Sequence, residues 1–276
     1  MVQTTWKTYI ARDFTRLQYV CHEPIDKQAK AAVILIHGIT AELSHQEKFA
    51  ESLNIEGDVF IPILRGYDQM SKRGDLGYMG HYDDDLFDFV HFVKKKGYEK
   101  VILIGHSMGC ANILRLLNKN KKIADRIVFV SPFFHPNLSV YRDDATDQYK
   151  PETDVDYTVY QKRVMLLMTL YKMNIDRFSH KTVAVIPDEF DDSGILKLSF
   201  RLMASRFLEV IPDDLFEGIE EQVFTFVGDQ DEVVVAEKLA AWYRNKFDLQ
   251  LEIIEGTDHN HILHHNDFHC RFAEII

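Results

Sequence analysis

The chain alternates between short, uninterrupted apolar runs and longer stretches in which apolar residues recur every three or four positions. Ala31–Ile36, Val59–Ile63, Val101–Ile104 and Ile127–Val130 carry no polar alternation, the pattern of parallel strands covered on both faces, and Val223–Val227 and Leu249–Ile254 repeat it late in the chain. Residues 4–10 and 17–22 read differently. Both are short Tyr/Val/Thr-rich segments flanking the polar pair Arg12–Asp13, which predicts an antiparallel hairpin at a sheet edge.

Among the segments of helical period, residues 81–96 are the clearest. Leu86, Phe89, Val90 and Val93 fall at i, i+3, i+4 and i+7 and form one apolar stripe. Asp83, Asp84 and Asp85 occupy the first turn and Lys94, Lys95 and Lys96 the last, both complementing the helix dipole, and Gly97 is placed to supply a left-handed cap. Dipole and solvation account for the acidic triplet without a metal site.

Residues 132–222 interrupt the strand–helix alternation. They hold two apolar helical candidates, at 159–175 (Val164, Leu167, Met168, Tyr171) and 195–210 (Leu198, Leu202, Ser205, Phe207), joined by polar turns. The expected architecture is therefore an open, mostly parallel α/β sheet built from residues 1–131 and 223–276, with a helical cap inserted at 132–222. Ligands of such sheets collect at the carboxyl ends of the strands.

Composition narrows the class of partner. The 276 residues are 46% apolar and 27% charged, enough to bury one large core. The net charge of −11 repels nucleic-acid phosphates and anionic lipid headgroups, so no nucleic-acid partner is expected. Cys21, Cys110 and Cys270 are too few and too scattered for a disulfide framework or a thiolate zinc site, which fits a reducing compartment. Residues 1–14 mix charges with apolar positions, unlike a secretory signal, and no apolar run approaches the ~20 residues needed to cross a bilayer. The expectation is a cytoplasmic protein without stable membrane insertion.

The candidate chemistry begins where Val101–Ile104 ends, at Gly105-His106-Ser107-Met108-Gly109, followed by the helix-like Ala111–Lys119. Gly-x-Ser-x-Gly between a strand and a helix is the setting of a nucleophile elbow. The turn is so sharp that side chains two residues either side of the serine would clash, and the serine hydroxyl projects at a helix N-terminus. A serine hydroxyl needs a base at neutral pH, and the base needs an acid to fix its tautomer. Downstream, Gly228-Asp229-Gln230-Asp231 follows one apolar run and Gly256-Thr257-Asp258-His259-Asn260-His261 the next, in the order serine, acid, histidine. Asp231, three residues past the loop glycine, has better reach than Asp229; His259, nearest Gly256-Thr257, is favoured over His261. Ser107, Asp231 and His259 are the expected catalytic residues.

Acyl transfer through such a serine also needs two backbone N–H groups aimed at the developing oxyanion. Met108, just after the serine, offers one, and Ile39 in the glycine-relaxed loop His37-Gly38-Ile39-Thr40 is the candidate for the other; His37 reads as a structural loop residue. His259, His261, His264, His265 and His269 crowd together near the C-terminus, with i, i+4 spacings that invite a metal reading. No Glu accompanies them in a His-Glu-x-x-His arrangement, so a surface histidine face is expected, with no metal and no cofactor.

His37-Gly38, Arg65-Gly66-Tyr67, Gly105-His106-Ser107-Met108-Gly109, Gly228-x-x-Asp231 and Gly256-x-x-His259 together resemble the α/β-hydrolase superfamily over residues 30 to 276, specifically the branch of monoacylglycerol lipases, lysophospholipases and serine aminopeptidase-like hydrolases. Cys110 stands where that branch often has a further glycine, and the Arg65 loop reads Arg-Gly-Tyr-Asp-Gln-Met-Ser in place of a compact Arg-Gly-x-Gly-x-Ser. The resemblance implies an eight-stranded hydrolase core, a cap after the sixth strand and a serine-hydrolase mechanism; a small-molecule carboxylic ester is the expected substrate, with the same triad able to act on amides, thioesters or carbon–carbon bonds, and a non-catalytic ligand receptor is the alternative of another class. Met165, Met168, Met173 and Met203 all fall in the expected cap helices, where they suit either an acyl-chain pocket or packing of the helices on the core.

Overall fold

A computed structural model of the chain describes residues 2–24, 29–41, 43–53, 55–142, 157–190 and 192–276. The amino-terminal hairpin forms as the two Tyr/Val/Thr-rich segments predict: β1 (Val2–Ile10) pairs antiparallel with β2 (Arg16–Pro24), Ile10 opposite Arg16, at one edge of the sheet. The continuous apolar runs become β3 (Ala31–Ile36), β4 (Gly57–Pro62), β5 (Lys100–His106) and β6 (Arg126–Val130), and later β10 (Val223–Gly228) and β11 (Glu252–Ile254). Every residue of β3 and β4 is buried, as strands covered on both faces require.

The resulting eight-stranded sheet has the order β1-β2-β4-β3-β5-β6-β10-β11, antiparallel at β1–β2 and β2–β4 and parallel elsewhere. Its register sets the site. Ile36 lies opposite Gly105, His106 opposite Val130, Phe226 opposite Val130 and Gly228 opposite Ile254, so the carboxyl ends of β3, β5, β6, β10 and β11 emerge along one rim. Helices α1 (Leu43–Ser52), α2 (His81–Lys94), α3 (Gly109–Lys119), α6 (Ala236–Phe247) and α7 (Asn266–Ile275) flank the sheet. Phe49 of α1 stacks with Phe268 and packs at a tilt against Phe272 of α7, and Phe268 meets Phe226 of β10, which fastens the C-terminal helix to the core.

Helix α2 carries the expected stripe, with Leu86, Phe89, Val90 and Val93 all buried, and Gly97 takes the left-handed conformation after it, φ 88°. The acidic triplet differs from the expectation. Asp83 and Asp85 are buried: Asp83 accepts a bidentate pair from Arg115 of α3, both at 2.6 Å, and Asp85 accepts two bonds from Arg65, both at 2.7 Å. Only Asp84 stays near the surface, beside Arg12. A carboxylate taken out of water needs a cation with matched geometry: Asp83 has Arg115, with Lys119 at 3.1 Å besides, and Asp85 has Arg65.

Between β6 and β10 the segment is mixed rather than helical. α4 (Gln161–Lys172) covers the first expected helix, but 195–210 begins as a strand, β9 (Ile195–Ser199), followed by the short α5 (Phe200–Ala204). β9 joins β7 (Thr158–Val159) and β8 (Thr182–Pro187) in a separate antiparallel sheet ordered β7-β8-β9. Leu196 and Leu198 are buried while Ile195 and Lys197 are exposed, a period of two that lets β9 pair with β8. Residues 143–156 of the expected cap lie outside the described residues. Of the methionines assigned to cap helices, Met203 is buried, whereas Met165 and Met173 are exposed and neither pack on the core nor line an interior pocket.

Candidate active site

Strand β5 delivers Ser107 into a turn that only a constrained sequence permits. Ser107 has φ 53°, in the left-handed region, and its N–H donates to the Val130 carbonyl at 3.0 Å. A Cβ on Gly105 would lie 2.8 Å from the Cys110 nitrogen, and one on Gly109 only 2.0 Å from the Ile36 carbonyl oxygen. Both glycines of the elbow are therefore steric necessities. Cys110 is buried directly beneath and donates its thiol to the Gly105 carbonyl at 3.0 Å, so it fills the space behind the turn, and burial pushes its thiol pKa up.

The structure brings the three expected side chains into one chain of hydrogen bonds. Ser107 Oγ lies 2.9 Å from His259 Nε2, and His259 Nδ1 lies 3.0 Å from both Oδ1 and Oδ2 of Asp231. With Nδ1–H donating to the carboxylate, Nε2 is left as the acceptor facing the hydroxyl. Asp231 is completely buried, and its Oδ1 also accepts from the N–H groups of Val233 and Val234 at 2.8 and 2.7 Å. Burial alone pushes the Asp231 carboxyl up, but the imidazole and these donors hold it below its usual range. For His259 burial disfavours the imidazolium, yet the Asp231 charge outweighs it and the pKa rises above its ordinary 6.5.

The neighbouring candidates take other places. Asp229 turns away and accepts from the Gly256 N–H at 2.7 Å, bracing the loop that carries His259. His261 is exposed and pairs with Asp258 at 2.7 Å. His264 lies 3.3 Å from His45, His265 caps α7 by accepting from the Asp267 N–H at 3.3 Å, and His269 donates to the Leu263 carbonyl at 2.6 Å. The histidines thus follow a short 3-10 turn (His261–His264) and the start of α7 rather than one helical face. Among the described residues no group of three or more His, Cys, Asp or Glu is placed to hold a metal ion.

Two contacts on His259 have no counterpart in the sequence reading. Its N–H donates to Glu232 Oε2 at 3.0 Å, and its carbonyl accepts from His106 Nε2 at 2.8 Å. Burial lowers the His106 pKa to about 3, so this ring stays neutral and acts as a fixed donor. The signal was present, since His106 occupies the variable position of the elbow, but nothing local says which backbone it will meet.

The loop after β3 completes the surroundings of Ser107. A Cβ on Gly38 would stand 3.3 Å from Ser107 Cβ and 3.7 Å from its Oγ, so the His37-Gly38-Ile39 backbone passes directly beside the hydroxyl. His37 is buried and neutral: burial, and the nearby Arg206 charge, lower its pKa to about 3. Its Nδ1–H donates to the Gly38 carbonyl at 2.8 Å and its Nε2 accepts from the Leu64 N–H at 3.3 Å, which fixes the loop from both ends of one ring. Among the described residues neither the Ile39 nor the Met108 N–H makes a hydrogen bond.

A parallel sheet with an elbow serine, a buried histidine and a buried aspartate at its carboxyl rim defines a class of protein, and the comparisons specify it. A family model for the alpha/beta hydrolase fold matches residues 31–265, and the chain belongs to that family. It is 28% identical over 132 residues to a Mycoplasma pneumoniae protein named "Putative esterase/lipase 3", a match spanning 47% of this chain and 46% of that one. The chain thus spans about half the length of the curated relatives it matches. In fold it is similar to a soluble variant of monoglyceride lipase from Saccharomyces cerevisiae, TM-score 0.65 at 17% identity, over 99% of this chain and 92% of that one. Carboxylesterase CesB from Bacillus subtilis superposes with TM-score 0.60 at 14% identity, over 99% and 91% of the two chains. Among the described residues no helix is long and apolar enough to cross a membrane.

Proposed function

We propose that this chain is a serine hydrolase that cleaves a carboxylic ester through an acyl-enzyme, and that it belongs to the monoacylglycerol lipase, lysophospholipase and serine aminopeptidase-like branch of its family. Ser107 Oγ adds to the ester carbonyl carbon while His259 Nε2 takes the hydroxyl proton; Asp231 holds the imidazole in the required tautomer and stabilises its charge. The N–H groups of Ile39 and Met108 receive the oxyanion. As the tetrahedral adduct collapses, His259 passes its proton to the departing alcohol oxygen. Water then repeats the sequence on the acyl-enzyme and releases the acid. Residues 1–131 and 223–276 serve as the core and 132–222 as the cap over it.

The observation that carries this reading is the unbroken path from Ser107 Oγ through His259 to Asp231, at 2.9 and 3.0 Å, beside a glycine-narrowed loop. The ester class is supported by the names of the relatives, and a partly apolar acyl group by the monoglyceride lipase likeness. The test is a panel of p-nitrophenyl esters from acetate to laurate, with 1-monooleoylglycerol, lysophosphatidylcholine and matched p-nitroanilides. Turnover of the esters is expected, at least about a hundredfold above the anilides. Turnover of anilides alone would move the reaction to amides, and no turnover of any compound would leave the fold as a ligand receptor.

The pH dependence follows from the direction of the histidine shift. A base must be neutral to act, and His259 gains its proton at a pH above 6.5. Activity is therefore expected to fall as the solution is acidified through a midpoint above 6.5, with a one-proton slope in kcat/KM. A plateau that persisted well below 6.5 would contradict the assignment of base.

A further inference from the structure

Arg206, just beyond α5, is completely buried, yet among the described residues it has no carboxylate partner of the kind that Arg65 and Arg115 have in Asp85 and Asp83. Its Nη1 donates to the His37 carbonyl at 3.1 Å and to Asn112 Oδ1 at 3.2 Å, and its guanidinium carbon lies 5.2 and 5.5 Å from the ring centroids of Tyr67 and Tyr82. Among the described residues Nε and Nη2 make no hydrogen bond. Neutral acceptors and aromatic faces only partly replace the solvation a cation loses on burial, so this is an expensive side chain to keep at such a place.

Its location gives the reason. The carbonyl it holds is that of His37, which lies 3.0 Å from where a Gly109 Cβ would stand, at the foot of the elbow helix. The His37 ring in turn donates to the Gly38 carbonyl, and the N–H of that same peptide unit is the one on Ile39. One side chain from the β6–β10 insertion therefore grips the loop whose next peptide offers its N–H beside Ser107.

We propose that Arg206 is a positioning residue for the hydrolytic reaction. It clamps the His37–Gly38 peptide so that Ile39 N–H stays aimed at the oxyanion, and its unneutralised charge lends positive potential under that oxyanion. This rests on the ester-hydrolase reading above. The His37 ring's bond to the Gly38 carbonyl polarises the peptide whose N–H belongs to Ile39, the Arg206 bond acts one peptide earlier by holding that loop in place, and preorganised dipoles act most where charge develops. The effect belongs in kcat, since the ground-state ester carries no charge there.

The experiment compares native protein with Arg206→Met, Arg206→Lys and Ser107→Ala on p-nitrophenyl butyrate, with active sites counted by fluorophosphonate titration. Per titrated site, kcat is expected to fall about 30-fold in Arg206→Met and about fivefold in Arg206→Lys, with KM within about threefold of native, because a direct oxyanion donor is worth about 10²–10³ and this contact acts through one. A trifluoromethyl ketone, whose carbonyl carbon bonds Ser107 Oγ and whose oxygen becomes the oxyanion, should bind more weakly by the same factor as kcat/KM. A purely structural role would lower the titratable fraction and the melting temperature and leave kcat per site unchanged. A kcat per site within about twofold of native, in whichever of the two variants folds, overturns the proposal. Turnover that persists in Ser107→Ala overturns the hydrolase reading itself, whatever Arg206 does.

Discussion

Replacing Ser107 with alanine is expected to lower kcat on p-nitrophenyl butyrate by about 10⁵–10⁶-fold, and His259→Ala by about as much, while the double substitution loses no more than either alone. Groups that act as one unit are not additive. Without the hydroxyl there is nothing for the imidazole to deprotonate, and without the imidazole the hydroxyl is too weak a nucleophile. The 2.9 Å contact between Oγ and Nε2 makes them such a unit. A double variant whose loss equals the product of the single losses would show instead that the two side chains act on separate steps.

The second large effect discriminates between carboxylates two residues apart. Asp231→Asn should cost about 10⁴-fold in kcat, whereas Asp229→Asn should stay within about threefold of native. An asparagine at 231 preserves the shape but presents an amide donor toward His259 Nδ1, which favours the tautomer that leaves Nε2 protonated and unable to accept the Ser107 proton. Among the described residues Asp229 accepts from the Gly256 and Thr257 N–H groups, which an asparagine oxygen also serves. Steady-state kinetics on the two purified variants, with circular dichroism to establish folding, decides the matter. Equal losses would mean that the acid has been misassigned.

These sites were legible in the sequence because each depends on a local signal at the end of an apolar run. The elbow needs glycines at 105 and 109 whatever the rest of the chain does, and Asp231 and His259 sit in loops that parallel strands must deliver to one rim. The insertion was less legible. Ile195–Ser199 carries a period of two, but it is short, and the apolar residues that follow fit a helical period as well, so only pairing with β8 decides it. The burial of Asp83 and Asp85 at the start of α2 is hidden from the sequence for a related reason. Their partners Arg65 and Arg115 lie 20 and 32 residues away, and no pattern within α2 says that two of the triplet's three carboxylates will be buried. Arg206 is the extreme case. An arginine at the end of a short helix reads as a surface residue, and its burial against Tyr67, Tyr82 and the His37 carbonyl emerges only when the insertion closes on the core.

The most direct test of the central claim is chemical. Native protein treated with a fluorophosphonate, digested and sequenced by mass spectrometry should carry one phosphonyl group per chain, on Ser107, with labelling slowed at least about 10³-fold in His259→Ala. An adduct on any other residue, or labelling at an undiminished rate without the imidazole, would contradict it.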